Sequence, residues 1–221
     1  MLFSLLQGGF TITDAIIHLF VIALMIFLIL PVHEFAHAGA ALLLGDKSIK
    51  YRGRLSLNPM AHIDIMGALM MLLVGFGWAK PVPVNPSYFK KPRLYMALTA
   101  LAGPVSNVLC AMLGGLVYII IFKTNVEFFF TVFGDYVLTF LAYYISINVS
   151  LAVFNLIPVP PLDGSKVLFL FLPEDVEAFF YRYGNYIFFG FVALLYSGVL
   201  NTPLNYIEGM LFNFCTFRFL I

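Results

Sequence analysis

The sequence predicts an all-α polytopic membrane protein of about four to six transmembrane helices, with a small membrane-associated strand or re-entrant region between the first and second spans. Three observations predict it. Hydrophobic residues make up 62% of the 221 positions and charged residues only 10%, with a mean hydropathy of +0.98, a balance that no ordinary soluble domain sustains. Apolar runs long enough for a hydrocarbon core of ~30 Å recur along the chain. Between the first two of them, glycines and prolines interrupt the pattern instead of extending it. The net charge of +1 leaves no basic patch of the kind nucleic acid requires, so that class of partner is set aside.

The first helix is expected to begin after Thr13, where Thr13 and Asp14 can cap it, and to run to Leu44 ahead of Gly45. About thirty residues at ~1.5 Å each overrun a ~30 Å core, which puts the C-terminal third of the helix below mid-membrane. Pro31 marks a kink. Met1 to Phe10 show no basic leader and no small-residue cleavage site, so this first span is expected to be retained.

Lys47, Lys50, Arg52, Arg54, Lys80, Lys90, Lys91 and Arg93 all fall between the first two spans. Counted by the positive-inside rule, that connection is cytoplasmic and the N-terminus lies outside. Ile63 to Trp78 is apolar but short, contains Asp64 and three glycines, and leads into Lys80-Pro81-Val82-Pro83-Val84-Asn85-Pro86. Such a stretch reads as extended or hairpin backbone plus a re-entrant segment tucked against protein. His62 and Asp64 are candidate metal ligands, with an interfacial polar pair as the plainer reading.

Leu94 to Phe122 returns the chain outward, and its Ala102-Gly103-Pro104-Val105-Ser106-Asn107 stretch suits close helix packing. Residues 135 to 157 cross back and end in Asn155-Leu156-Ile157-Pro158-Val159-Pro160-Pro161-Leu162-Asp163-Gly164. Three prolines in four residues force the backbone to break there. A short helix follows over Ser165 to Leu172, then an acidic interfacial stretch with Glu174, Asp175 and Glu177. Tyr186 to Leu200 and Leu204 to Ile221 supply one or two further spans. Cys110 and Cys215 read as small core residues. The chain is expected to form one integral membrane domain over 1–221, with a core at 12–172 and accessory C-terminal helices at 173–221.

Within the first helix stand His33-Glu34-Phe35-Ala36-His37. Histidines at i and i+4 lie about 40° apart on one face, so both imidazoles can reach one zinc ion, and the adjacent Glu34 can reach a water held there. This is the His-Glu-x-x-His pattern of zinc hydrolases, in which the glutamate is the general base. Ionisable groups at membrane depth are expensive, and three in five residues have no cheap structural purpose. Catalytic zinc keeps three protein ligands and one open position. Asp163, at the forced break on the same membrane side, is the best third ligand, with an N-cap for the helix that follows as the alternative. Asn155, eight residues earlier, is the natural donor toward a substrate carbonyl; Asn148 is a second candidate, and either amide can bond helix backbone instead.

Taken together, His33-Glu34-Phe35-Ala36-His37, Ala102-Gly103-Pro104-x-x-Asn107 and Asn155-x-x-Pro158-x-Pro160-Pro161-Leu162-Asp163-Gly164 resemble the site-2 protease family of intramembrane zinc metalloproteases. The chain is similar to its compact members, which lack a PDZ or CBS domain. The resemblance implies one Zn2+ per chain held by His33, His37 and Asp163, with Glu34 as base and Asn155 near the substrate carbonyl. It also implies a membrane-anchored protein substrate cut in or beside its transmembrane segment, and matches residues 54–86 to the family's membrane-associated strands. The cell membrane, with the active site toward the cytoplasm, is the expected location. A membrane metal-ion transporter or channel built on the same His/Asp cluster is the rival reading.

Overall fold

A computed structural model describes residues 12–74 and 77–218. The expectation for Met1 to Phe10 lies outside the described residues. Helix α1 spans Ile12–Leu24, a π-helical segment follows over Met25–Ile29, and α2 spans Leu30–Leu44. The chain is already helical at Ile12, ahead of the cap expected at Thr13; the side chains of residues 13–15 lie outside the described residues. Pro31 has no N–H for an i→i−4 bond, and its ring crowds the carbonyl of the preceding turn. The wider π turn falls directly upstream, with the Leu30 N–H donating to the Met25 carbonyl, so the register shifts and the helix continues.

Helix α3 spans Ile65–Val74, α4 Pro92–Thr124, α5 Val132–Asn155 and α6 Asp163–Phe169; α7 spans Glu174–Tyr196 and α8 Asn201–Cys215. Three stretches are long and apolar enough to cross a membrane: Ile16–Leu44, Pro92–Thr124 and Val132–Asn155. The α7–α8 pair, bent by 85°, makes a fourth if it counts as one broken span. The count stands at the lower edge of the expected range because the last fifty residues yield one bent pair.

Helix α4 is the centre of the fold, packing along α2 and α5 and also against α6 and α8. Ala111, Ile145, Val149, Val153 and Cys215 form an apolar core where α4, α5 and α8 meet. A second core of Ala38, Ala41, Ile49 and Phe89 closes the end of α2 against the connection and the start of α4. Ala38, Ala41 and Ala111 bring the helix backbones close within them.

The connection between the first two spans carries one short helix, α3, and no β-strand occurs among the described residues. Short 3₁₀ turns at Lys47–Tyr51, Pro59–Ala61 and Pro86–Tyr88 flank α3, whose ten residues reach only ~15 Å, half a bilayer core. The His18 ring nitrogen Nε2 lies 3.4 Å from the Leu72 carbonyl, tying the last turn of α3 to α1. The strand expectation fails for a chemical reason. Pro81, Pro83 and Pro86 remove three of the six N–H groups from 81 to 86, which breaks any continuous ladder of donors along this stretch. Its remaining donors are committed elsewhere: Lys80 N–H to the His62 carbonyl, Val84 N–H to the Val82 carbonyl and Asn85 N–H to Asp46 Oδ2 at 2.8 Å.

Candidate metal centre

Helix α2 places His33, Glu34 and His37 in the protein interior, at 4%, 8% and 7% exposure. One turn separates the histidines, and their rings meet edge to face with centroids 4.6 Å apart. Asp163 comes from 126 residues away in sequence, as the first residue of α6 beyond the proline break. Its Oδ2 lies 3.4 Å from His33 Nε2 and 3.2 Å from His37 Nε2, and the two Nε2 atoms are 3.0 Å apart. One ligand atom from each residue falls within 4.8 Å of the others.

Each imidazole is oriented from behind. His37 Nδ1 donates to the Thr99 carbonyl at 2.8 Å, and a carbonyl can only accept. His33 Nδ1 lies 2.6 Å from Asn107 Oδ1. Both partners therefore fix the proton on Nδ1 and turn a bare Nε2 lone pair inward. With both rings neutral, three acceptor atoms face one another with no hydrogen to share, an arrangement that a cation relieves. Two imidazole nitrogens and one carboxylate oxygen are a donor set that zinc accepts, with a position left for water or substrate. The chemistry of the cluster thus fits the ion.

Room for it comes from glycine. A Cβ at Gly103 of α4 would fall on His37 Nε2 and on Cε1 of His33, so only Gly lets α4 run this close to the rings. Gly164 plays the matching part beside Asp163, since a Cβ there would strike the Leu156 carbonyl. The far end of α6 is held by Arg93, whose guanidinium donates to the carbonyls of Phe169 and Leu172 and pairs with Glu177 at 3.1 Å. These are carbonyls that a helix end leaves without partners.

Glu34 lies beside this cluster in sequence and is held by the extended strap: the Val82 N–H donates to its Oε2 at 3.2 Å. Asn155, the last residue of α5, gives an amide hydrogen to the Leu151 carbonyl at 3.0 Å, which is the backbone alternative. Its bond lies on its own helix and not on the His/Asp cluster. Asn148 likewise donates to the Tyr144 carbonyl at 2.9 Å. His62 and Asp64 stand apart from the cluster as the polar pair of the plainer reading: His62 Nε2 is 2.7 Å from the Ser56 carbonyl, and Asp64 Oδ1 accepts from the Gly67 N–H at 2.8 Å, capping α3. Thr99, Gly103 and Asn107 escaped the sequence reading as parts of the site, although the Ala102 to Asn107 stretch drew notice for its packing.

Comparison with known proteins bears on the chemistry. Residues 131–196 match the model of Peptidase family M50, a stretch that includes Asn155 and Asp163. The chain is 40% identical over 162 residues to YwhC of Bacillus subtilis, a protein whose name assigns it as a zinc metalloprotease; the match covers 73% of this chain and 74% of YwhC. It is 29% identical over 178 residues to Rip2 of Mycolicibacterium smegmatis, similarly named, covering 78% of this chain and 65% of that relative. Rip2 of Mycobacterium tuberculosis is 29% identical over 145 residues, about half of its own length. No solved structure matches the chain. These relatives carry names of zinc metalloproteases, which supports the hydrolase reading. With apolar spans around a His-His-Asp cluster, and with a relative of that identity and coverage, this chain belongs to peptidase family M50, the zinc metalloproteases.

Proposed function

We propose that this zinc metalloprotease hydrolyses peptide bonds in or beside transmembrane segments of membrane-anchored proteins, with zinc held by His33, His37 and Asp163 and with Glu34 as general base. The observation that carries the proposal is the convergence of the three ligand atoms within 4.8 Å, two of them on a helix apolar enough to span a bilayer. Zinc bound there supplies Lewis acidity, which acidifies water and polarises a carbonyl. The chain's own residues do the rest. The Val82 N–H holds Glu34 Oε2, so Oε1 is the atom that takes a proton from the attacking water and passes it to the leaving amine. An Asn side-chain amide carries two hydrogens, and Asn155 spends one on Leu151; the other serves the developing oxyanion.

A transmembrane helix buries its peptide bonds in its own ladder, so the substrate must unwind locally before attack. The proline edge of the strap cannot donate a continuous ladder to it, which leaves the strap's carbonyls as the partners for substrate N–H groups. Seven of the 12 Lys and Arg residues lie between the first two spans, and Arg93 sits in the first turn of the second. By the positive-inside rule this sets the C-terminal end of α2 toward the cytoplasm of a cell membrane, with 1–221 acting as one membrane domain. The decisive experiment is co-expression with candidate single-span substrates, comparing wild type and Glu34→Gln. Cleavage by the wild type that disappears in the variant supports the proposal; undiminished cleavage in the variant removes Glu34 from the mechanism.

A further inference from the structure

We infer that Asn107 and Asn148 are positioning residues that form a directed hydrogen-bond relay and thereby dictate which nitrogen of His33 faces the metal. The inference rests on the reading of His33 as a zinc ligand. Its starting point is the Tyr144 carbonyl of α5, which can only accept. Asn148, one turn on, must therefore present its Nδ2 there, at 2.9 Å. This leaves Asn148 Oδ1 facing α4, where it accepts from Asn107 Nδ2 at 3.0 Å. Asn107 in turn has only Oδ1 left for α2, and that oxygen lies 2.6 Å from His33 Nδ1. The imidazole is thus compelled to carry its proton on Nδ1 and to offer Nε2 as the bare donor.

Each step is forced by the one before it, because a reversed amide at either asparagine would set two donors or two acceptors face to face. Both side chains are 1% exposed, so no outside water competes for these bonds and each mismatch would leave a buried polar group unpaired. The relay spans three helices and crosses 74 residues between His33 and Asn107 and 41 between Asn107 and Asn148. His37 reaches the same proton placement in one step, through the Thr99 carbonyl. The two ligands are thus set by different devices, one by backbone and one by replaceable side chains.

Zinc affinity, measured by competition with a chromophoric chelator on apo protein in detergent, tests the relay. Asn107→Leu is expected to weaken zinc binding by ~10–100-fold, the usual cost of losing such an outer partner. Asn107→Asp keeps the acceptor toward His33 but sets a carboxylate oxygen against Asn148 Oδ1, so it is expected to lose less zinc affinity than Asn107→Leu without matching wild type. Asn148→Leu, which frees the Asn107 amide to turn, falls between Asn107→Leu and wild type. Wild-type affinity in Asn107→Leu, or equal losses in Asn107→Leu and Asn107→Asp, would overturn the relay in favour of mere helix packing. A nitrogen-15 histidine spectrum of the folded wild-type apo protein needs no variant to fold: His33 protonated at Nδ1 supports the relay, and at Nε2 overturns it. His33→Ala separates the two levels. Undiminished zinc binding in that variant defeats the ligand reading itself, whereas loss there with no loss in Asn107→Leu defeats the relay alone.

Discussion

Where α2, α4 and α5 meet, His33, His37, Asn107 and Asn148 are all buried and all hydrogen-bonded to named partners. Along α7 and α8, by contrast, Phe191 and Cys215 are the buried residues, while Tyr186, Phe189, Tyr196 and Tyr206 turn outward at 68–76% exposure. The contrast separates two ways of holding a membrane protein together. In the first region, unpaired polar groups would be costly, so direction and partner are specified atom by atom. In the second, apolar surface meets lipid or neighbouring helix with little preference, and attachment runs through apolar and aromatic contacts such as Cys215 with the α4–α5 core and Phe191 with Phe154, together with the Arg93–Glu177 pair.

The largest test of that contrast applies one substitution to both regions. Glu34→Gln is expected to slow cleavage of a single-span substrate by about 10²–10⁴-fold, the range for a lost general base, while Glu208→Gln in α8 leaves the rate unchanged. Equal effects would erase the distinction. Glycine offers a second pair. Gly103→Ala sets a methyl on the imidazoles and is expected to cost about 1–3 kcal/mol in unfolding assays, with weakened zinc binding alongside. Gly209→Ala in α8 meets open space and is expected to gain about 0.5–1 kcal/mol from helix propensity.

A third test probes the seam itself. A Cβ at Gly115 would strike the Cys215 carbonyl, so Gly115→Ala is expected to destabilise by about 1–3 kcal/mol while zinc affinity, read by chelator competition, holds. Smallest is Glu177→Gln at the partly exposed pair with Arg93, where a change below about 1 kcal/mol is expected in thermal unfolding.

The sequence exposes these regions unequally. His33 and His37 are visible because a local helical period puts them on one face with Glu34 next to them in sequence, and Asp163 because a proline-broken span can end only on one side. Asn107 carries no such mark. Its partner lies 74 residues away, and only the packing of α4 on α2 decides which neighbour its amide meets. Thr99 is less visible still, since it acts through a carbonyl that every residue has. The expected strands between Arg54 and Pro86 misled for a different reason: they came from the family resemblance, and Gly and Pro there suggest extended backbone without saying whether its N–H groups are free to pair. The bent α7–α8 pair had marginal apolar lengths, which fit two short spans and one broken span equally well.

The π turn at Met25–Ile29 has a bearing on chain length. One residue slipped into a 3.6-residue winding turns everything downstream by about 100°, so the lipid-facing stripe of α1 and the ligand stripe of α2 are out of phase with each other by design of the count. Deleting any single residue from 25–29 would restore the phase and swing His33 and His37 together away from Gly103 and Asp163. The spacing of the first span therefore sets the candidate metal centre as much as its histidines do.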